Sequence, residues 1–370
     1  SLKKQFHHKS WNEWDKSIAH RDEQSLTAVR SALDEEIRIE KLKQFFFSRQ
    51  WDRLKAYTKS KGIKIIGDIP IFVAYNSADV WANQELFYLD ENLNQIVLAG
   101  VPPDYFSKVG QLWGNPLYRW NRMKKDNYEW WSNRIKTTLN VVDYIRLDHF
   151  RGFEAYWEVP AGSKNAVNGK WIKGPGVDLF NVLREKFGEL PLIAEDLGII
   201  TPSVKKLRDQ FNFPGMKILQ FAFGDRSDNP YLPHMHPQNS IVYTGTHDND
   251  TTRGWLDKAD EKTKDHLRQY LNCNDNDIHM NLIRAAMAST AQYAVIPMQD
   301  ILNLGSEARF NIPGEASGNW LWRMSFDDIN ENHISMLKYF SKLYFRNEPL
   351  RKIIRDNDFI DPDLAEIKQE

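Results

Sequence analysis

Cysteine is nearly absent: Cys273 is the single example in 370 residues. Neither an intramolecular disulfide nor a cysteine-based zinc site can form from it. Net charge is equally scarce, since 49 Lys and Arg face 50 Asp and Glu, a formal balance of -1. A surface so balanced gives no reason to expect nucleic acid or an anionic membrane as partner. No apolar run reaches membrane-spanning length and the mean hydropathy is -0.60, which excludes an integral helical membrane protein. This composition suits a reducing cytoplasm. Internal repeats and low-complexity tracts are missing as well. Aromatic residues are plentiful, at 13% of the chain. They either fill a large core or offer flat faces to a ligand, sugars included.

The length allows one large α/β domain or two ordinary ones. Residues 1–61 read as a helical lead-in, with Leu26, Val29, Leu33 and Ile37 at helical spacing and Phe47, Trp51 and Leu54 continuing the period. Gly62 is placed as the cap that ends it. Residues 62–346 then read as a catalytic α/β portion. Six short apolar runs punctuate it, at 63–66, 141–148, 190–195, 217–221, 241–245 and 294–298. Such near-continuous runs fit strands buried on both faces, and helical patterns at 177–187, 202–212 and 279–290 alternate with them. The expected fold is a (β/α)8 barrel. The segment near 101–127 is aromatic and rich in Pro and Gly, and reads as a loop or small subdomain over the strand ends. The tail, 347–370, is polar and peripheral.

Three of the runs lead into an acid, which is where such a barrel carries its chemistry. Arg146 and Asp148 share one side of a strand, so the guanidinium can hold the carboxylate ionised, as a nucleophile or as a structural ion pair. Glu195 follows an apolar strand, where partial desolvation raises its pKa toward general-acid range, or where it caps the next loop. The turn from Gly245 to Thr251 holds His247, Asp248 and Asp250. That set fits a metal site, a sugar clamp or a solvated turn equally well. Asp104, Tyr105, Phe106 and Trp113 make an aromatic stretch that either stacks on a ligand or packs as a loop. Taken together, three carboxylates on three strands, one paired with Arg and all covered by an aromatic loop, fit retaining glycoside chemistry.

The same stretches carry a resemblance. Gly67–Ala74, Ser77–Trp81, Gly100–Ser107, Gly110–Tyr118, Arg146–Phe153, Ala194–Gly198, Gly245–Thr251 and Arg309–Gly314 with Asn319-Trp320 resemble, in order, the motifs of the 4-α-glucanotransferases (amylomaltases) of the α-amylase clan. The resemblance implies that Asp148 is the nucleophile, Glu195 the acid/base and Asp248 the third carboxylate. It implies substrate contacts at Asp68, Arg146, His149 and His247, and an acceptor-side aromatic loop at Tyr105, Phe106 and Trp113. The implied reaction is retaining transfer of α-1,4-glucan segments between maltooligosaccharides, with no metal and no cofactor. An α-glucan hydrolase would use the same acids, and an inactive glucan-binding fragment is the third reading. The chain lacks counterparts of the family's first two barrel strands and their motifs. It is therefore expected to supply about strands 3 to 8, with an N-terminal piece, a swapped neighbour or another closure completing the barrel.

Overall fold

The computed structural model describes residues 1–103, 107–224, 227–315 and 317–347, and the chain divides into two units, Ser1–Met216 and Lys217–Glu370. In the first, the apolar period through Leu33 is cut in two. Leu33 adopts φ -108° and ψ 21°, ending the helix Glu23–Ala32 and preceding the helix Asp34–Ser60. Asp22 caps the earlier helix by accepting from the Ser25 N–H at 2.8 Å. The later one closes at Gly62, where the Ile63 N–H donates to Thr58 O at 2.9 Å and the Gly62 N–H to Lys59 O at 3.0 Å. This is a Schellman closure, with Gly62 at φ +70°. A methyl group there would meet no atom within 4 Å. Gly62→Ala should therefore lower stability by about 1–2 kcal/mol through the backbone alone; an unchanged urea midpoint would show the left-handed turn to be dispensable.

The helix Asp34–Ser60 buries none of its residues, although its spacing predicts a core face. Phe45, Phe46 and Phe47 are each about half exposed. Two side chains tie the helix down. Trp51 donates its indole N–H to Val141 O at 2.8 Å, and Lys55 donates to the carbonyls of Leu139, Asn140 and Val142 at 3.0, 3.0 and 3.1 Å. A lysine there satisfies carbonyls left open at the end of the helix Glu129–Val141.

Seven strands follow in the first unit: β1 (Ile66–Pro70), β2 (Val97–Val101), β3 (Gln111–Pro116), β4 (Tyr144–Asp148), β5 (Ala155–Pro160), β6 (Lys170–Lys173) and β7 (Leu192–Ala194). β1, β4 and β7 form a parallel sheet in that order. The others form an antiparallel sheet of order β3-β2-β5-β6. The segment read as a loop or small subdomain contains β3 and a helix, Trp120–Lys125. The third sheet has the order β10-β9-β8, with β8 at Gly215–Ile218, β9 at Ser240–Tyr243 and β10 at Tyr293–Val295. β9 and β10 pair in parallel, and all four residues of β9 are buried.

All six expected runs therefore contain or adjoin a strand, and the helices Gly176–Phe187, Pro202–Gln210 and Ile278–Ala288 lie where the helical patterns placed them. Closure is the point of departure. Among the described residues the strands lie in three separate sheets and no closed barrel is formed. A barrel requires every strand to pair on both sides, whereas β1 and β7 each end their sheet. From residue 348 onward the expected polar tail lies outside the described residues.

Part of the aromatic content is core. Phe150, Phe153, Phe180 and Phe213 are almost fully buried. Phe180 meets Phe150, Phe153 and Phe213 at centroid distances of 5.7, 5.3 and 5.3 Å. Each such side chain contributes about 1.5–3 kcal/mol by leaving water. Phe150 lies two residues beyond the end of β4, so the cluster anchors the turn that carries the site.

Candidate active site

β4 is the middle strand of its sheet, and its register sets the site. Asp68 of β1 is opposite Arg146, and Pro70 is opposite Asp148. On the other flank Leu147 is opposite Ala194 of β7. Asp148 and Glu195 thus stand at equivalent positions, each one residue past that pair. Parallel neighbours lie about 4.8 Å apart, so two carboxyl groups are presented side by side.

Arg146 is buried to 7% exposure and serves two acids. It meets the Asp68 carboxylate at 2.6 Å and the Asp148 carboxylate at 3.0 Å. Its Nε faces the Met216 sulfur at 3.4 Å. Burial works against its charge, but Asp68, Asp148 and Glu195 hold its pKa above the ordinary arginine value. The expected ion pair exists, and it is shared.

Glu195 sits in a backbone cradle. Its Oε2 accepts from the His149 N–H at 2.8 Å and its Oε1 from the Leu197 N–H at 2.9 Å. The two readings of this residue are therefore both realised: it closes the following turn, and its carboxyl is raised. Burial first, and the Asp148 carboxylate second, push its pKa up to about 7, against the opposing pull of Arg146 and the two N–H donors. Its neighbour Asp196 is buried and accepts from the Met216 N–H at 2.7 Å and from Arg208 at 2.5 Å. Asp196 has no role in the sequence reading, yet it anchors the backbone beside Glu195. Its position in the Ala194–Gly198 motif was the available signal.

The turn after Asp148 is unusual. His149 takes φ +53°, a left-handed conformation rare outside glycine. The next residue, Phe150, donates its N–H to Glu195 O at 3.1 Å. A Cβ at Gly152 would lie 2.8 Å from Ile71 Cδ1 and 3.1 Å from the His149 ring, so glycine leaves room for that ring. Burial, aided by Arg151, lowers the His149 pKa to about 4. Its imidazole is therefore neutral at pH 7 and can bind through one donor and one acceptor. Trp113 of β3 stands edge-on to it at a centroid distance of 4.7 Å and is 38% exposed. Tyr105 and Phe106, with Asp104, lie outside the described residues.

Residues of the Gly245–Thr251 turn lie in the second unit, where their surroundings separate the two acids. Asp248 meets His247 Nε2 at 3.3 Å and accepts from the Asn311 amide at 2.6 Å, while Arg309 donates to its carbonyl at 2.7 Å. Asp250 turns instead to Lys258 at 2.5 Å and Ser306 at 2.8 Å. The His247 ring lies 5.2 Å from that of Trp320. Among the described residues no group of three or more His, Cys, Asp or Glu is placed to hold a metal ion. Asn311 and Trp320 were quoted within motifs but given no role. Only the folded chain brings them, from more than sixty positions away, onto Asp248 and His247.

The comparisons with known proteins bear on this geometry. The profile of the 4-alpha-glucanotransferase family matches residues 1–329. The chain belongs to that family. It is 49% identical over 336 residues to the 4-alpha-glucanotransferase of Thermus thermophilus, covering 89% of this chain and 67% of that one. It is 47% identical to the chloroplastic/amyloplastic 4-alpha-glucanotransferase of Arabidopsis thaliana, covering 91% of this chain and 59% of that one. A solved amylomaltase from Streptococcus agalactiae, in complex with acarbose, superposes with a TM-score of 0.90 at 40% identity, covering 93% of this chain and 70% of that one. The chain thus spans about two thirds of the length of these relatives. The amylomaltase of Corynebacterium glutamicum, at 19% identity and a TM-score of 0.63, shares the fold. No helix among the described residues is long and apolar enough to cross a membrane.

Proposed function

We propose that Asp148 and Glu195 are the nucleophile and the acid/base of a retaining transfer of α-1,4-glucan segments. The activity class, 4-alpha-glucanotransferase, is that of the family. The observation that supports these roles is the split between the two acids. Asp148 is paired to a buried arginine at 3.0 Å, while its neighbour Glu195 is pushed up to about 7. A nucleophile must be ionised and a general acid must carry a proton at the same pH. Asp148 attacks the anomeric carbon and forms a bond to it as the glycosidic C–O bond breaks. Glu195 gives its proton to the leaving 4-oxygen. An incoming glucan then returns a proton to Glu195 as its 4-hydroxyl attacks the same carbon and releases Asp148. Two inversions leave the α configuration unchanged.

The remaining roles follow from local surroundings. Asp68 and Arg146 keep Asp148 oriented, and neutral His149 offers hydrogen bonds to a sugar. Asp248, held by Asn311 at 2.6 Å, and His247 beside it are the groups this reading assigns to the sugar hydroxyls. No step requires a metal or cofactor. The parallel strands are taken as part of the family's (β/α)8 barrel. The exposed phenylalanines of Asp34–Ser60 and the one-sided pairing of β1 are where a complementing segment or a swapped neighbour would dock. Cytoplasmic maltooligosaccharides are the substrates this reading implies.

Incubation with maltotriose tests the proposal. A ladder of longer oligosaccharides is the expected product, whereas glucose and maltose alone would make the chain a hydrolase. Within that assay Phe106→Ala should raise the ratio of hydrolysis to transfer more than it lowers total turnover, because acceptor binding and exclusion of water separate the two outcomes. Reducing ends counted against ladder products measure the ratio. Uniformly slower turnover at a fixed ratio would make the aromatic loop a packing element.

A further inference from the structure

A cleft of about 620 Å³ lies in the first unit, lined by the helix Trp120–Lys125, the link from β6 to the helix Gly176–Phe187, and the helix Pro202–Gln210. None of the residues assigned above to the transfer reaction lines it. We propose that this cleft is a second saccharide site, binding a stretch of α-glucan away from the reacting bond.

Sugar hydroxyls both donate and accept, so a saccharide site needs both kinds of partner around an apolar base. The cleft has this make-up. Lys124, Lys173 and Lys206 supply donors, and Glu154 and Asp178 supply acceptors. Lys124 and Asp178 already pair with each other, which spreads charge and leaves a surface suited to a neutral ligand more than to an ion. The base is aromatic, with Trp120 7% and Tyr128 3% exposed. The Trp120 indole N–H is buried without a hydrogen-bond partner, and such a donor calls for an explanation. A saccharide hydroxyl is an acceptor of the kind this donor lacks.

The cleft also connects to the reacting residues through the chain. Glu154 ends the short helix Arg151–Glu154, which begins three residues after Asp148. Its carbonyl accepts from the Gly174 N–H at 2.7 Å, and Gly174 forms part of the cleft wall. A polymer held there would raise the effective concentration of its remaining length at the transfer site. The choice of α-glucan as ligand rests on the function proposed above, and the test separates the two.

Hydrogen exchange of the whole chain, with and without maltoheptaose, reads both places at once. At tenfold excess over its dissociation constant, a ligand slows exchange that proceeds by local opening about tenfold. Protection is expected at 173–178 and 203–210 as well as at 145–150 and 192–197. The double variant Lys206→Ala and Gln210→Ala should erase the first protection and keep the second. Protection at 145–150 and 192–197 alone would overturn the cleft and leave the transfer reading standing. Protection in the cleft alone would do the reverse. Cleft protection by inorganic phosphate and not by maltoheptaose would also overturn the proposal.

Discussion

Asp148→Asn will remove transfer activity while the fold survives. The substitution preserves volume and keeps an oxygen toward Arg146, so the shared contact with Asp68 can persist. What disappears is the group proposed to form the covalent bond to the sugar. Loss of a nucleophile commonly costs at least about 10³-fold in rate, or roughly 4 kcal/mol of barrier. Maltotriose turnover and circular dichroism measured together check both halves of the expectation. Activity above about a tenth of the parent's would place the nucleophile elsewhere, since tenfold is only about 1.4 kcal/mol.

Glu195→Gln should have the second largest effect, and a different signature. In the proposed mechanism the first step needs Glu195 protonated and Asp148 ionised. With the Glu195 carboxyl pushed up to about 7 by burial and by Asp148, its acid form is lost as pH rises through that value. The kcat/KM of the parent should therefore fall on the alkaline side with an apparent pKa near 7. His149, with its pKa near 4, is neutral throughout that range and contributes no limb there. Gln cannot donate a proton, and the loss with maltotriose should be about 10²–10⁴-fold. A maltosyl fluoride donor changes the outcome, because fluoride leaves without protonation. Glu195→Gln should still release a burst of fluoride, then stall for want of a base. Equal impairment with both donors would remove Glu195 from the acid role.

The acids themselves were legible from the chain. Short apolar runs ending in Asp148, Glu195 and the Gly245–Thr251 turn mark strand ends, because a strand buried on both faces admits an ionisable group only where it leaves the core. The Arg146–Asp148 pair followed from the two-residue period of one strand. The turn chemistry at Gly62 was local too, and the folded chain contains it. Periodicity failed where a partner was needed to give it meaning. Phe47 and Leu54 share the helical spacing of core residues and remain about half exposed, since a sequence records which face is apolar and not what covers it.

Only tertiary structure could decide the electrostatics and the companions of each acid. Whether Glu195 is raised depends on its depth and its distance from Asp148, which strand register sets. Asp68 reaches Arg146 from 78 residues away, and Asn311 reaches Asp248 from 63. Nothing in local spacing encodes such pairs. Asp248 and Asp250 are two acids in one turn, and the sequence singled out Asp248 by its place after the apolar run and by the family motif. Folding turned one toward Asn311 and the other toward Lys258. Residue type tells which chemistry a chain can hold; the geometry that raises the pKa of one carboxyl and sets an arginine beside its neighbour exists only once the strands are side by side.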